Sequence, residues 1–303
     1  MVAEPPQRLS ILFALTGRLC QPAFLLSLPA LIVLIGVGLI PLVLVAFWSF
    51  WSFDQATYWI KPVLTLDSYR ALFNTGRFPV FIRTIGLATL TAGFCTILAF
   101  PASTIIGLMS RPRLAATLIV LFTIPFFTSA LIRSFAWRLV LGRYGIVNSA
   151  LVGLGLVDQP IEWLLFSDFA VAIGMIAAYL PFAVVPMVLI LARIEPSVIR
   201  ASQDLGAGFW TTLRCIILPL AMPGVIAGFL FVFVVALGTS TEIQLLGGAG
   251  DSSIAIMIND VMRVVNFPLA FAIATAVVLL MSVIVLLADR MLRLSRIFAE
   301  LGS

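Results

Sequence analysis

The sequence has no histidine, and Lys61 is its only lysine. Without histidine the chain lacks the commonest general base and the commonest metal ligand. Its three cysteines, Cys20, Cys95 and Cys215, stand far apart with no CxxC spacing. Neither a disulfide framework nor a zinc site is supported, and they read as small apolar residues on helices. Charge is scarce as well. Only 10% of the 303 residues are charged, whereas a soluble domain carries roughly 25% to solvate its surface. No GxxxxGK[ST] phosphate loop is present, so hydrolysis of ATP by this chain is excluded. No clustered carboxylate pair, internal repeat or low-complexity linker is found. The reading is a single domain that does no covalent chemistry of its own.

What fills the sequence is apolar: 62% hydrophobic residues and a mean hydropathy of +1.19. The net charge of +5 comes almost wholly from arginine. A nucleic-acid binder would gather those cations on one face. Here they lie between apolar runs, so anionic membrane lipid is the expected partner and nucleic acid is not. Charge-free intervals run Arg18–Asp54, Arg83–Arg111, Arg113–Arg133, Asp168–Arg193, Arg214–Glu242 and Arg263–Asp289, each enclosing 19 or more residues. A membrane helix needs about 20. The expected fold is therefore all-α and polytopic, with six spans near 24–48, 84–108, 114–135, 169–192, 220–245 and 268–288. Pro125 and the nearby Arg133 make the third the least regular.

The first apolar run is too long for a signal-peptide core and no A-x-A site follows it, so it reads as a retained span. Upstream, Leu9, Leu12, Phe13 and Thr16 at helical spacing suit a short interfacial helix. Trp48, Trp51, Tyr58 and Trp59 mark the far headgroup region. With both termini inside, Arg8, Arg18, Arg111, Arg113, Arg193, Arg200, Arg214, Arg290, Arg293 and Arg296 face the cytoplasm, ten cations against eight outside. The outer loops are longer, so their charges weigh less. The division expected is an N-terminal segment 1–23, a single transmembrane domain 24–290 and a cytoplasmic tail 291–303. Pro29, Pro41, Pro101, Pro125, Pro181, Pro186 and Pro223 fall in or at the ends of spans. Each removes a backbone donor and kinks its helix, which suits a chain that encloses a cavity or changes shape. Proline is also simply more frequent in membrane helices than in soluble ones.

The most informative stretch is RIEPSVIRASQDLGAGFWTTLRCIILPLAMP, residues 193–223. Pro196 is placed to start a helix, and Val198, Ala201, Ser202 and Leu205 form a narrow seam at helical spacing. Gly206 ends it as a left-handed cap. A second amphipathic stretch, Phe209 to Leu218, leads to Pro219 and the fifth span. The residues predict a helix–bend–helix across the cytoplasmic face, which is either a docking element or an ordinary interfacial loop.

The segment resembles the cytoplasmic signature of ABC-importer permeases, Glu-Ala-Ala, three residues, Gly, nine residues, Ile-x-Leu-Pro. Ala201 matches the first alanine, Gly206 the glycine, and Ile216, Leu218 and Pro219 the end; Arg200 replaces the glutamate and Ser202 the second alanine. The segments 64–73, 125–151, 174–187, 204–210 and 218–238 are similar to spermidine/putrescine-type permeases. The resemblance implies a type I importer fold in the bacterial inner membrane, with residues 196–219 as the coupling helix. Ala201, Ser202, Asp204, Leu205, Gly206, Ala207, Ile216, Leu218 and Pro219 would then meet an ATPase subunit. It also implies a second, related permease, an ATP-binding cassette ATPase dimer holding ATP and Mg, and a periplasmic binding protein. No cofactor is expected in this chain, and the solute implied is a small polar molecule, a polyamine or related cation.

A charge within the membrane marks a pathway by default. Glu242 at the outer end of the fifth span and Asp260 between the last two are the acids expected to face a cationic solute. Glu242 lies close to the Gly247–Gly248 turn and could equally reach water. Arg133 and Arg138 flank Trp137, the remaining candidate for the pathway, and read as snorkelling anchors or as partners of those acids. A secondary transporter or channel is the alternative, although no charge falls near the midplane of a predicted span, where an ion-coupled carrier would hold one.

Overall fold

The structure is a computed structural model that describes residues 22–301, apart from positions 75, 110 and 249. The expected interfacial helix at residues 9–16 and Cys20 lie outside the described residues. Among the described residues, five helical stretches are long and apolar enough to cross a membrane: Leu28–Trp48, Arg77–Leu108, Asp168–Leu191, Phe209–Leu237 and Phe267–Arg290. A sixth crossing is made if the pair Arg113–Phe127 and Ala130–Gly153, bent by 89°, counts as one. The all-α polytopic reading holds.

In chain order, the first crossing combines α1 (Pro22–Val33), a π-helical segment Leu34–Leu39 and α2 (Ile40–Trp48). A hairpin of β1 (Trp51–Asp54) and β2 (Trp59–Leu64) comes next, with Phe53 opposite Ile60. It leads to α3 (Asp67–Asn74), α4 (Arg77–Thr104), α5 (Pro112–Thr123), α6 (Ala130–Leu141) and α7 (Ile146–Gly153). The remainder is α8 (Asp168–Leu191), α9 (Pro196–Asp204), α10 (Phe209–Thr212), α11 (Leu218–Leu237), α12 (Thr241–Leu246), α13 (Ile254–Arg263) and α14 (Phe267–Leu301).

The centre is α4, α8 and α11, each packed on the other two. In lipid the hydrophobic effect does little to drive helices together, so close packing of small residues must do it. Ala88, Ala92, Cys95 and Ala99 of α4, Ala170, Ala178 and Ala183 of α8, and Ala221 and Ala236 of α11 are all buried. Gly228 sits so near α8 that an added Cβ would lie 2.9 Å from the Ala183 carbonyl oxygen. In contrast, Leu34–Trp48 buries none of its residues. Near the hairpin its Trp48 ring lies 6.1 Å from Phe271 of α14.

Several boundaries differ from the sequence reading, and the second span begins at Arg77 rather than near 84. The third span, expected straight over 114–135, is broken: α5 tightens into a 3₁₀ turn at Ile124–Phe127, Thr128 is extended, and α6 departs at a new angle. Pro125 supplies the cause, since it has no N–H and its ring crowds the preceding turn. The fifth crossing runs from Phe209 to Leu237 rather than over 220–245. Gly238 interrupts it, and Glu242 belongs to the separate helix α12. The sixth continues beyond 288 as part of α14.

Candidate functional site

At the end opposite the hairpin, Pro196 occupies the first turn of α9, where a missing N–H is no loss. The helix ends in a Schellman cap. The Ala207 N–H donates to the Ser202 carbonyl at 3.0 Å and the Gly206 N–H to the Gln203 carbonyl at 2.9 Å. Gly206 has φ +81°, the left-handed region where a side chain is disfavoured. The expected corner is therefore present, but no second surface helix lies beyond it. Phe209 begins the fifth crossing directly, through α10 and a π-helical turn at Leu213–Ile217 that precedes Pro219.

The seam is also arranged differently from its spacing. Ser202 is buried, and its hydroxyl lies 2.9 Å from the Thr212 hydroxyl and donates to the Ile199 carbonyl at 3.0 Å. Val198, Ala201 and Leu205 face outward, Leu205 at 89% exposed, beside exposed Phe209 and Trp210. Asp204 is exposed, Ala207 and Ile216 are half-buried, and Leu218 and Pro219 lie on the open side. Arg200, in the glutamate position, is exposed and donates from Nε to the Pro196 carbonyl at 3.4 Å. Thr212 was not legible in the sequence, because nothing in its spacing from Ser202 tells that two hydroxyls will meet across a bend.

At the hairpin end the candidate residues separate. Glu242 does not reach water; it is buried at 3% exposed. One carboxylate oxygen accepts from the Thr239 hydroxyl, which in turn accepts from the Tyr179 hydroxyl at 2.9 Å. The other lies 4.0 Å from Nη2 of Arg133. Arg133 is thus no snorkelling anchor. Its Nη1 donates to the carbonyls of Pro125 and Thr128 at 3.0 and 2.9 Å, both at the break. Arg138 stacks on the Phe166 ring, 5.1 Å from its centre. Trp137 is half-buried on α6, and α6 packs against α12.

Asp260 is exposed and lines another cleft, of about 390 Å³, with Arg77, Ser252 and Val264. Arg83 joins the ends of three elements, pairing with Asp168 and, at 2.9 Å, with Asp251 while donating to the Ser252 carbonyl at 3.4 Å. On the hairpin itself, Lys61 holds Asp54 at 2.8 Å. That ammonium, with the Ala56 N–H, draws the Asp54 carboxyl down to about 2.

Between these ends lies a cleft of about 400 Å³ lined by Thr123, Phe126, Pro181, Phe182, Pro186 and Phe231, among others. Phe182 meets Phe126 edge-on at 5.0 Å and stacks parallel to Phe231 at 6.5 Å. Pro181 and Pro186 were visible in the sequence as kink positions; the three rings converging on them were not.

These features define a polytopic all-α membrane protein with an exposed apolar corner at one end. Residues 99–296 match the family of binding-protein-dependent transport system inner membrane components, and the chain belongs to that family. It is 31% identical over 247 residues to the spermidine/putrescine transport system permease protein PotB of Salmonella typhimurium (strain SL1344), an alignment covering 81% of this chain and 85% of that one. It is 29% identical to the inner membrane ABC transporter permease protein YdcU of Escherichia coli (strain K12), covering 80% and 81%. Its fold resembles that of a chain of a bacterial alginate ABC transporter crystallised with an alginate pentasaccharide-bound periplasmic protein. The TM-score is 0.70 at 19% identity, over 89% of this chain and 93% of that one. The chain is an inner-membrane permease subunit of an ABC importer.

Proposed function

We propose that the chain passes a small cationic solute of the polyamine class across the inner membrane, with the hairpin end periplasmic and both termini cytoplasmic. It performs no chemistry itself. A periplasmic binding protein delivers the solute, a second permease completes the passage, and a separate ATPase dimer supplies the energy. The observation that carries the reading is the corner at Gly206, where Val198 and Leu205 of the short helix and its cap and Phe209 and Trp210 at the foot of the fifth crossing present uncovered apolar surface. Exposed apolar groups beside a helix corner that admits close approach suit insertion into another subunit's cleft.

The polyamine class is supported by the PotB relatives and by the aromatic cleft. Its Phe126, Phe182 and Phe231 rings offer apolar edges to methylene segments and negative faces to ammonium groups. No carboxylate lines that cleft. In this reading Asp260 and Trp137 stand at the outer approach. The deciding experiment is uptake of radiolabelled spermidine and putrescine in a strain without polyamine import, expressing this chain with its neighbouring transport genes. ATP-dependent accumulation is expected; its absence for both solutes overturns the substrate class.

A further inference from the structure

Arg133 and Glu242 carry opposite charges into the interior at the outer end, with side chains 17% and 4% exposed. Either charge alone would be strongly disfavoured there. The rest of the guanidinium is committed to the break in the third crossing, through the Pro125 and Thr128 carbonyls. Thr128 is extended, and the helices on either side diverge by 89°. Glu242 sits just beyond the interruption of the fifth crossing at Gly238–Ser240, and its contact passes through Thr239 to Tyr179 of α8. One side chain therefore touches the breaks of two crossings, and an unbroken crossing anchors both. Nε of Arg133 is buried without a hydrogen-bond partner among the described residues. Nη2 stands 4.0 Å from Glu242, beyond hydrogen-bond distance, so the guanidinium is not fully matched in this arrangement.

We propose that Arg133 is a positioning residue for transport, coupling the bend of the third crossing to the break of the fifth so that both rearrange together when the outer end opens. Glu242 then acts through Arg133 and is not the solute's counter-ion. Such coupling requires an element with two arrangements, and the two broken helices that share this buried ion pair are the element proposed. The inference rests on the permease reading.

The test uses the assembled complex in lipid nanodiscs, with Cys20, Cys95 and Cys215 replaced by alanine. Spin labels go at exposed Val120 and Leu139, on either side of the break. Pulsed EPR should give one distance that shifts when the ATPase is trapped with vanadate. Arg133→Gln should broaden the distribution and abolish the shift. Arg133→Lys, which keeps the charge but loses the planar fork, should abolish it too without threatening insertion. The exchange Arg133→Glu with Glu242→Arg keeps the opposite charges but leaves the Pro125 and Thr128 carbonyls without their donor, so it should not restore the shift. Variants that shift as the unmutated chain does overturn the proposal. In the uptake arm, with radiolabelled spermidine and rates per assembled complex, Arg133→Gln and Glu242→Gln should each lower Vmax at least about tenfold at unchanged KM. The double variant should be no worse than either. An unchanged rate per complex means a merely structural pair, and a raised KM for Glu242→Gln alone makes Glu242 a solute ligand; each overturns the proposal. If the unmutated complex takes up no spermidine, the polyamine reading fails and the EPR arm decides the coupling.

Discussion

The hydroxyls of Ser202 and Thr212 meet at 2.9 Å inside the bend between the short helix α9 and the foot of the fifth crossing. Ser202 replaces the second alanine of the signature that this segment resembles, and Thr212 gives it a partner. The pair pins the corner from within, so Val198 and Leu205 are held facing outward on a helix that packs little elsewhere.

Removing the Ser202 hydroxyl leaves that of Thr212 buried and short of a partner, a loss of about 1–3 kcal/mol, whereas Ser202 keeps the Ile199 carbonyl when Thr212 is removed. Ser202→Ala should therefore loosen the corner more than Thr212→Val, while the two combined should recover most of the loss. Trp210 is exposed beside the corner. The intrinsic fluorescence melt of the detergent-purified complex, compared with a Trp210→Phe control, reads the order of the three variants.

Gly206 holds φ +81°. A side chain in that region costs roughly 1–2 kcal/mol, and more when β-branched. Gly206→Val should leave the crossings inserted but reduce ATPase co-purification or uncouple hydrolysis from uptake. Gly206→Asn, which tolerates the left-handed region, should retain most activity. Binding, hydrolysis and uptake measured on one reconstituted preparation decide it. Wild-type behaviour of the valine variant would remove the corner from the coupling path.

The order of the crossings sets the topology. A periplasm-active reporter fused after residue 160 should be active, and one fused after residue 205 should not. A cytoplasm-active reporter should give the opposite pattern. Reversal at either site contradicts cytoplasmic termini.

The Asp54–Lys61 pair fixes how the hairpin responds to acid. Because the folded carboxyl is drawn down to about 2, its contribution is fully present above the ordinary value near 3.9. It fades as pH falls through the folded value, so the hairpin is indifferent to pH across the neutral range. Amide exchange protection at Phe53 and Ile60, corrected for intrinsic rates, should be constant from pH 8 to about 5. Asp54→Asn should lower it throughout that range.

The sequence alone determined the membrane class, five of the crossings and the Gly206 corner. The reason is that scarcity of charge over about 20 residues and a glycine after a helical run are local properties. Only the tertiary structure decided the fate of the charges. Glu242 and Arg133 are separated by more than a hundred residues. Their pairing depends on where the Pro125 break aims α6 and where the chain resumes after Gly238. The same holds for Ser202 and Thr212, and for the Phe126, Phe182 and Phe231 rings, which come from three different crossings. Hydropathy says which segments enter lipid. Which side chains then meet is set by the helix breaks and by small-residue contacts such as Gly228 on Ala183, whose geometry no spacing along one helix encodes.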